Sequence, residues 1–315
     1  MGRLNNGSVF VLVAIALSAA CAPVAPPLRT ALATASPSIT PDPTSTPTET
    51  PAPTKTITPS PTPTLPAYPN LALPGMERLH EIIQAGLRGG MRSGVFSKVG
   101  DSLTANGYFL TPFGSGNYDL GEHAYLQDAI DFFSREDARE GNSFVNDSLA
   151  AKSGWRAENV LDPSKNRSPC EAGETPLACE YRIVRPAIAV ILLGTNDAAA
   201  PTGKYKESMQ SIVALSVSLG ILPILTTLPS MDGKDVEPYN AVIRELAEAG
   251  DLPLIDLYAA LAALPHHGLA PDGIHLSWVE PAVFRPPYLN HGMTVRNLLT
   301  LQALDAVWRS YSSPP

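Results

Sequence analysis

The chain has 315 residues, with 30 acidic against 22 basic side chains and a formal net charge of −8. No basic cluster suited to tracking phosphates occurs in it, so nucleic acid is not an expected partner, and the net charge speaks to solubility rather than to fold. The length could hold one large or two small domains, but a long segment near the start cannot build a core, so one folded domain is expected. At the N-terminus Arg3 precedes an apolar run over 9–17, and the small residues Ser18, Ala19 and Ala20 stand directly before Cys21. A positive start, a short apolar stretch and small residues at its end read as an export signal over 1–21, and the run is too short to persist as a membrane span.

The end of that segment, Leu17-Ser18-Ala19-Ala20-Cys21, resembles a bacterial lipobox, with Ser18 standing where lipoboxes usually carry leucine. The resemblance implies a diacylglyceryl group on Cys21 and a lipoprotein held at the outer face of the cell membrane. Soluble secretion is the alternative. The chain has three cysteines, and the other two, Cys170 and Cys179, are near neighbours in a polar loop with Pro169, Glu171, Gly173 and Glu174. In an oxidising, exported compartment these two are expected to form a disulfide, leaving Cys21 as the odd thiol. Two cysteines without a nearby histidine or further cysteine do not make a zinc set, so no metal is expected there.

Residues 22–69 alternate proline with threonine and serine, as in Pro59-Ser60-Pro61-Thr62-Pro63-Thr64. Proline removes backbone donors and fixes φ near the polyproline value, so this stretch is expected to be an extended, stiff tether; its hydroxyls suit O-glycosylation on composition alone. From 70 to 315, apolar runs of strand length alternate with amphipathic stretches of helical length, the pattern of a parallel sheet covered by helices on both faces. Strands are expected over 94–99, 187–193, 222–227 and 252–257. Helices are expected over 205–219 and 237–249, where apolar residues recur at three-and-four spacing, and over 293–310 at the close of the chain. Residues 111–166 read as a mixed, loop-rich insertion without assignable structure.

Open parallel sheets bind ligands beyond the carboxyl ends of their strands, and three of those ends carry chemistry. The first strand runs into Gly100-Asp101-Ser102-Leu103, where glycine permits a tight turn and Ser102 is expected to open a helix whose N–H groups favour negative charge; helix capping is the plainer use of the same residues. The second runs into Gly194-Thr195-Asn196-Asp197, either a turn or a site where the Asn196 carboxamide donates to an oxyanion. The third stretch, Asp272-Gly273-Ile274-His275, precedes the last helix. A spacing of three lets a loop present carboxylate and imidazole together, so that Asp272 fixes the tautomer with which His275 takes a proton from Ser102. His266 and His267 lie nearby without an acid at that spacing.

Together these stretches resemble the SGNH hydrolase superfamily, the GDSL lipases and esterases, whose blocks occur here in the family's order. The first block is matched letter for letter by Gly100-Asp101-Ser102-Leu103, and later blocks by Gly194-Thr195-Asn196-Asp197 and Asp272-Gly273-Ile274-His275. The family's second block supplies an oxyanion glycine, and its best match is Gly154 in Ser153-Gly154-Trp155. The resemblance covers roughly residues 95–308 and implies a three-layer α/β/α, flavodoxin-like fold without metal or cofactor. It further implies acyl transfer from an ester, with Ser102 as nucleophile, His275 as base, Asp272 as its partner, and the N–H groups of Ser102 and Gly154 with the Asn196 side chain as oxyanion donors. Asp101 and Asp197 are expected to brace their turns rather than react.

Trp155 and Trp278 each adjoin a motif, and both are expected to pack in the core rather than to stack on a substrate. His123 reads as a surface or loop residue. The expected substrate is an ester, either a small molecule or an esterified glycan or lipid, and the lack of a long apolar lid-like segment leans toward short acyl groups. Acyl transfer to a glycan is a rival use of the same triad. A non-catalytic glycan-binding lipoprotein is the rival from another class, and an intact Ser102, Asp272, His275 and Asn196 argue against it. Oligomeric state is not legible in the sequence.

Overall fold

The chain divides into two units, Met1–Pro61 and Thr62–Pro315. The computed structural model describes residues 69–312, all within the second. The export signal, Cys21 and nearly all of the proline-rich tether lie outside the described residues.

In chain order the elements are β1 (Leu71–Ala72), α1 (Met76–Arg88), β2 (Arg92–Gly100), α2 (Thr111–Gly114), α3 (Gln127–Ser134), β3 (Asp137–Arg139), β4 (Gly141–Asn142), α4 (Pro176–Val184) and β5 (Pro186–Leu192), followed by α5 (Thr202–Ser218), β6 (Leu222–Thr226), α6 (Glu237–Gly250), β7 (Leu254–Ile255), α7 (Leu257–Leu261) and α8 (Gly292–Ser312). Five strands form one sheet in the order β1-β7-β6-β5-β2, and β3 pairs with β4 separately. The run β2-β5-β6-β7 is parallel, as the alternating pattern predicts. The sheet as a whole is mixed, because β1 runs antiparallel to β7. Two residues leave no alternation to read in the sequence, and a strand that enters before the first helix is under no crossover constraint on its direction.

β5 is buried along its whole length, which its unbroken Ala-Ile-Ala-Val-Ile-Leu run requires of a strand covered on both faces. Helix α1 packs on α8 with α3 beside it, whereas α5 packs on α6. Right-handed crossovers between successive parallel strands put α5 and α6 on one side, and the two groups flank the sheet in the expected three-layer α/β/α arrangement. The expected strand over 252–257 contracts to Leu254–Ile255, because Asp256 caps α7, its carboxylate accepting from the Ala259 N–H at 3.2 Å.

β2 lies at the end of the sheet order, and an open edge is a pairing liability. The insertion that resists reading from sequence covers it. Phe96 N donates to Ser143 Oγ (2.9 Å), Lys98 Nζ to Phe144 O (2.7 Å) and Gly100 N to Ala150 O (3.1 Å), while Lys152 N returns a bond to Gly100 O (3.1 Å). Glu180, fully buried on α4, accepts from Ser97 Oγ (2.8 Å) and Leu149 N (2.9 Å) and so joins strand, insertion and helix. Burial pushes its carboxyl pKa up, and the Leu149 and Ser97 bonds oppose that shift. Phe133 and Phe144 close edge-on against Phe96 at 5.4 and 5.1 Å. The insertion is therefore held by polar bonds along the outer edge of β2 and by ring contacts with Phe96, which leave no hydrophobic periodicity in its own sequence.

Glu180→Ala would leave the Leu149 N–H and the Ser97 hydroxyl buried without acceptors. It is expected to cost about 2–3 kcal/mol in urea unfolding, while Glu180→Gln, which keeps an acceptor, should cost less than half of that.

Candidate active site

The register of β2 on β5 sets Gly100 opposite Leu192, so both strands end at one level. The turns that leave them, beginning at Asp101 and Gly194, start side by side. Gly100 also forms a parallel bridge with Ala151 on its other flank. The Ser102 turn is thus bordered by the 151–155 segment on one side and the 194–197 turn on the other. Gly100 is obligatory at this point: a Cβ there would lie 2.2 Å from Thr104 Oγ1 and 2.6 Å from Leu192 O.

Ser102 does not open a helix. A single turn follows, closed by bonds from the N–H groups of Thr104 (3.0 Å) and Ala105 (2.8 Å) to Asp101 O, after which the Asn106 side chain accepts from Tyr108 N (2.8 Å) and redirects the chain. Asp101, wholly buried, accepts from Leu103 N at 3.0 Å and holds that turn, in line with a bracing role. Burial pushes its carboxyl pKa up, with the Leu103 bond opposing.

His275 Nε2 lies 3.0 Å from Ser102 Oγ, and His275 Nδ1 lies 2.7 Å from Asp272 Oδ2. The other Asp272 oxygen accepts from the N–H groups of Ile274 (3.0 Å) and His275 (2.9 Å). The hydrogen bond from the imidazole, then those two backbone donors, hold the Asp272 pKa down to about 2. The turn itself is closed by Ala270 N donating to His275 O (2.7 Å), and Ser277 ties it to the start of α8 through Met293 N on Ser277 O (3.0 Å). Both side chains are partly open to solvent, 41% for His275 and 51% for Asp272, so the relay lies in a shallow, accessible site.

The candidate oxyanion donors converge from the two flanks. Asn196 Nδ2 donates to Trp155 O at 2.8 Å, tying the 194–197 turn to the residue after Gly154, and this leaves its second amide hydrogen free. Trp155 N bonds back to Lys152 O (3.2 Å), so Gly154 sits inside a pinned loop. Its φ of +79° lies in the left-handed region, where a side chain would be strained. Among the described residues, neither the Ser102 nor the Gly154 N–H donates to a protein acceptor. Asp197 accepts from Ala157 N at 3.1 Å, and burial raises its pKa to about 6, with that bond opposing. Like Asp101, it holds backbone.

Of the remaining expectations, Cys170 and Cys179 are joined in a disulfide. Trp155 packs in the core, but Trp278 does not: it is 44% exposed and stacks on Tyr108 with ring centroids 3.7 Å apart. His266 and His267 are exposed and take no part in the relay, and His123 lies edge-on to Phe284 away from it. Among the described residues no helix is long and apolar enough to cross a membrane.

Sequence reasoning missed Arg296 and Asn297 on α8. Arg296 is wholly buried beneath the Ser102 turn, donating to Leu103 O and to Thr104 Oγ1 (3.0 Å), with its guanidinium 3.7 Å from the Phe109 ring centroid. Burial pulls its pKa down to about 9, and nearby Asp101 opposes the shift. Asn297 accepts from Leu110 N (3.0 Å) and donates to Tyr108 O and Pro281 O (both 2.9 Å). The available signal was an arginine and an asparagine among the apolar residues of a closing helix. Arg296→Met is expected to lower stability by about 2 kcal/mol in chemical denaturation, because two buried oxygens lose their donors. Arg296→Lys should not restore it, since one ammonium on a flexible stem cannot reproduce the planar fork.

The sequence model of the GDSL-like lipase/acylhydrolase family matches residues 99–278. Among solved structures, a GDSL-like lipase from Bacteroides thetaiotaomicron is 16% identical, with 72% of this chain and 98% of that chain covered and a TM-score of 0.42. An acetylxylan esterase from Geobacillus stearothermophilus is 18% identical, with 66% and 93% covered and a TM-score of 0.42. No curated protein matches the chain. The family match spans more than half of the sequence and runs from the end of β2 past the His275 turn, so the chain belongs to the GDSL-like lipase/acylhydrolase family and is an ester-hydrolysing enzyme.

Proposed function

We propose that the enzyme hydrolyses a carboxylic ester bearing a short acyl group through a Ser102–His275–Asp272 triad and an acyl-enzyme. The observation that carries this reading is the continuous relay of 3.0 Å from Ser102 Oγ to His275 Nε2 and 2.7 Å from His275 Nδ1 to Asp272 Oδ2. Ser102 Oγ attacks the ester carbonyl carbon as His275 Nε2 takes its proton. Negative charge collects on the carbonyl oxygen, where the N–H groups of Ser102 and Gly154 and the free amide hydrogen of Asn196 can meet it. Collapse of the tetrahedral intermediate breaks the bond to the alcohol oxygen, which leaves with the proton held by His275. A water then repeats the sequence on the acyl-enzyme and releases the acid.

Asp272 orients the imidazole and offsets its charge when it is protonated. Its pKa is lowered in the folded chain, so this support is fully present above the ordinary carboxylate range and is lost only as pH falls toward about 2. Full-length protein treated with a fluorophosphonate should be labelled at Ser102, as located by mass spectrometry, and Ser102→Ala should abolish the label. Asp272→Asn should slow labelling by roughly a hundred- to ten-thousandfold, and Asp272 ionisation should leave no inflection between pH 5 and 8. A folded wild-type protein that resists the reagent would remove the triad reading.

The same proposal places the enzyme outside the cell, anchored through Cys21 and held off the membrane by residues 22–69. The signal-like start supports this, as does a disulfide between Cys170 and Cys179, a bond that persists in oxidising compartments. Cys21→Ala should move the protein from the membrane pellet to the soluble exported fraction. An unchanged distribution between pellet and supernatant would count against the anchor.

A further inference from the structure

The turn that carries Asn196 runs from the end of β5 to α5 without regular structure, and Ala199 and Ala200 on it are exposed. Its internal bonds close only local turns: Asp197 N and Ala198 N reach Gly194 O at 3.0 Å each, and Ala199 N (2.7 Å) and Ala200 N (2.9 Å) reach Asp197 O. Loops hold a side chain less precisely than helices or strands do, unless neighbouring elements fix them. Two tyrosines do so from the protein interior. Tyr205 on α5 donates its hydroxyl to Leu193 O at 2.9 Å, at the root of the turn. Tyr239 on α6 shares its hydroxyl hydrogen between Asp197 O (2.9 Å) and Ala200 O, at the far end. Both tyrosines are buried, and their rings meet edge-on with centroids 5.1 Å apart. The fit against the turn is close: a Cβ on Gly194, whose φ is +131°, would lie 3.1 Å from Tyr205 Cε2 and 2.9 Å from Leu228 Cδ1. Asn240, the residue after Tyr239, fixes Leu228 in turn, accepting from Leu228 N at 2.7 Å and donating to Leu228 O at 3.1 Å.

We infer that Tyr205 and Tyr239 are positioning residues for ester hydrolysis, whose hydroxyls set the place of the Asn196 amide at the developing oxyanion. The inference rests on the reading of Asn196 as an oxyanion donor. Neither tyrosine touches the reacting atoms, and both act through the backbone of the turn. On its other side the carboxamide is held by its bond to Trp155 O at 2.8 Å, so Asn196 stands between the Gly154 loop and the tyrosine pair. An oxyanion donor acts from about 3 Å, and misplacement by about 1 Å costs on the order of a hundredfold in rate. Removing either hydroxyl releases one end of the turn and leaves the ring packing in place. Charge on the carbonyl oxygen develops only in the transition state, so the loss falls on kcat and not on KM.

The test uses the full-length protein and p-nitrophenyl acetate. Tyr239→Phe and Tyr205→Phe should each lower kcat by about ten- to a hundredfold, with KM within about twofold of wild type. Tyr181→Phe controls for the loss of a buried hydroxyl as such: Tyr181 is buried on α4 and bonds Ser216 Oγ on α5 at 2.8 Å, and this variant should keep the wild-type kcat. Asn196→Ala should by itself lower kcat by roughly a hundred- to a thousandfold. In that background Tyr239→Phe should cost nothing further, because the group it positions is gone. Urea unfolding of each variant checks that it is folded under assay conditions. Wild-type kcat in either phenylalanine variant, or the same loss from Tyr239→Phe with and without Asn196, would overturn the inference. Fluorophosphonate labelling of the same preparations separates it from the reading beneath it. Labelled Ser102 with an unaltered kcat in Asn196→Ala removes the Asn196 donor and its positioning pair and keeps the serine chemistry, whereas a wild-type protein neither labelled nor active removes that chemistry itself.

Discussion

The site depends on one constraint of sheet geometry, the register that sets Gly100 opposite Leu192. Parallel strands deliver their carboxyl ends to the same edge, and this register brings two of them to the same height, so the turns at 101 and 194 emerge in contact. The bridge from Gly100 to Ala151 adds a third segment on the outer flank. A shift along either strand would reverse which side chains face the core and would separate Ser102 from Asn196. The bond from Asn196 to Trp155 spans the strand end between those flanks and fixes the distance between the two outer donors.

Helix α8 is the second organising element. Its first turn receives the His275 turn through Ser277, and one helical turn further on Arg296 holds the Ser102 turn from below. Asn297 then ties Tyr108 to Pro281. Segments far apart in sequence are thus positioned against one helix, whose Arg296 and Asn297 bond the backbone of the turns and the Thr104 hydroxyl. Burying an arginine is costly unless its donors are used, and here it replaces hydrogen bonds that turns without regular structure cannot make among themselves. Under the proposed mechanism, preorganisation of this kind would let the charge of a reacting ester meet fixed donors instead of reorienting solvent.

The four parallel strands and the three long helices of the second half were legible in the sequence, because strands covered on both faces read as unbroken apolar runs and helices carry apolar residues at three-and-four spacing. The motif turns were legible for a different reason. Chemistry at a strand end demands particular residue types, and Gly100, Ser102, Asn196, Asp272 and His275 stand next to recognisable strands or the closing helix. The single turn after Ser102 was not legible, since the preference of serine and aspartate for helix starts is the same whether one turn or four follow.

What the sequence determined by itself was therefore the class of fold, the order of the motifs and the residues proposed to carry the chemistry. Only the tertiary structure decided that β1 joins the sheet antiparallel, that the 111–166 insertion covers the open edge of β2, and that Trp278 leaves the core to stack on Tyr108. The physical reason is common to all three. They rest on pairings between segments distant in the chain, made through backbone groups, single polar side chains and one aromatic stack, and such pairings leave no periodic imprint on the residues that form them.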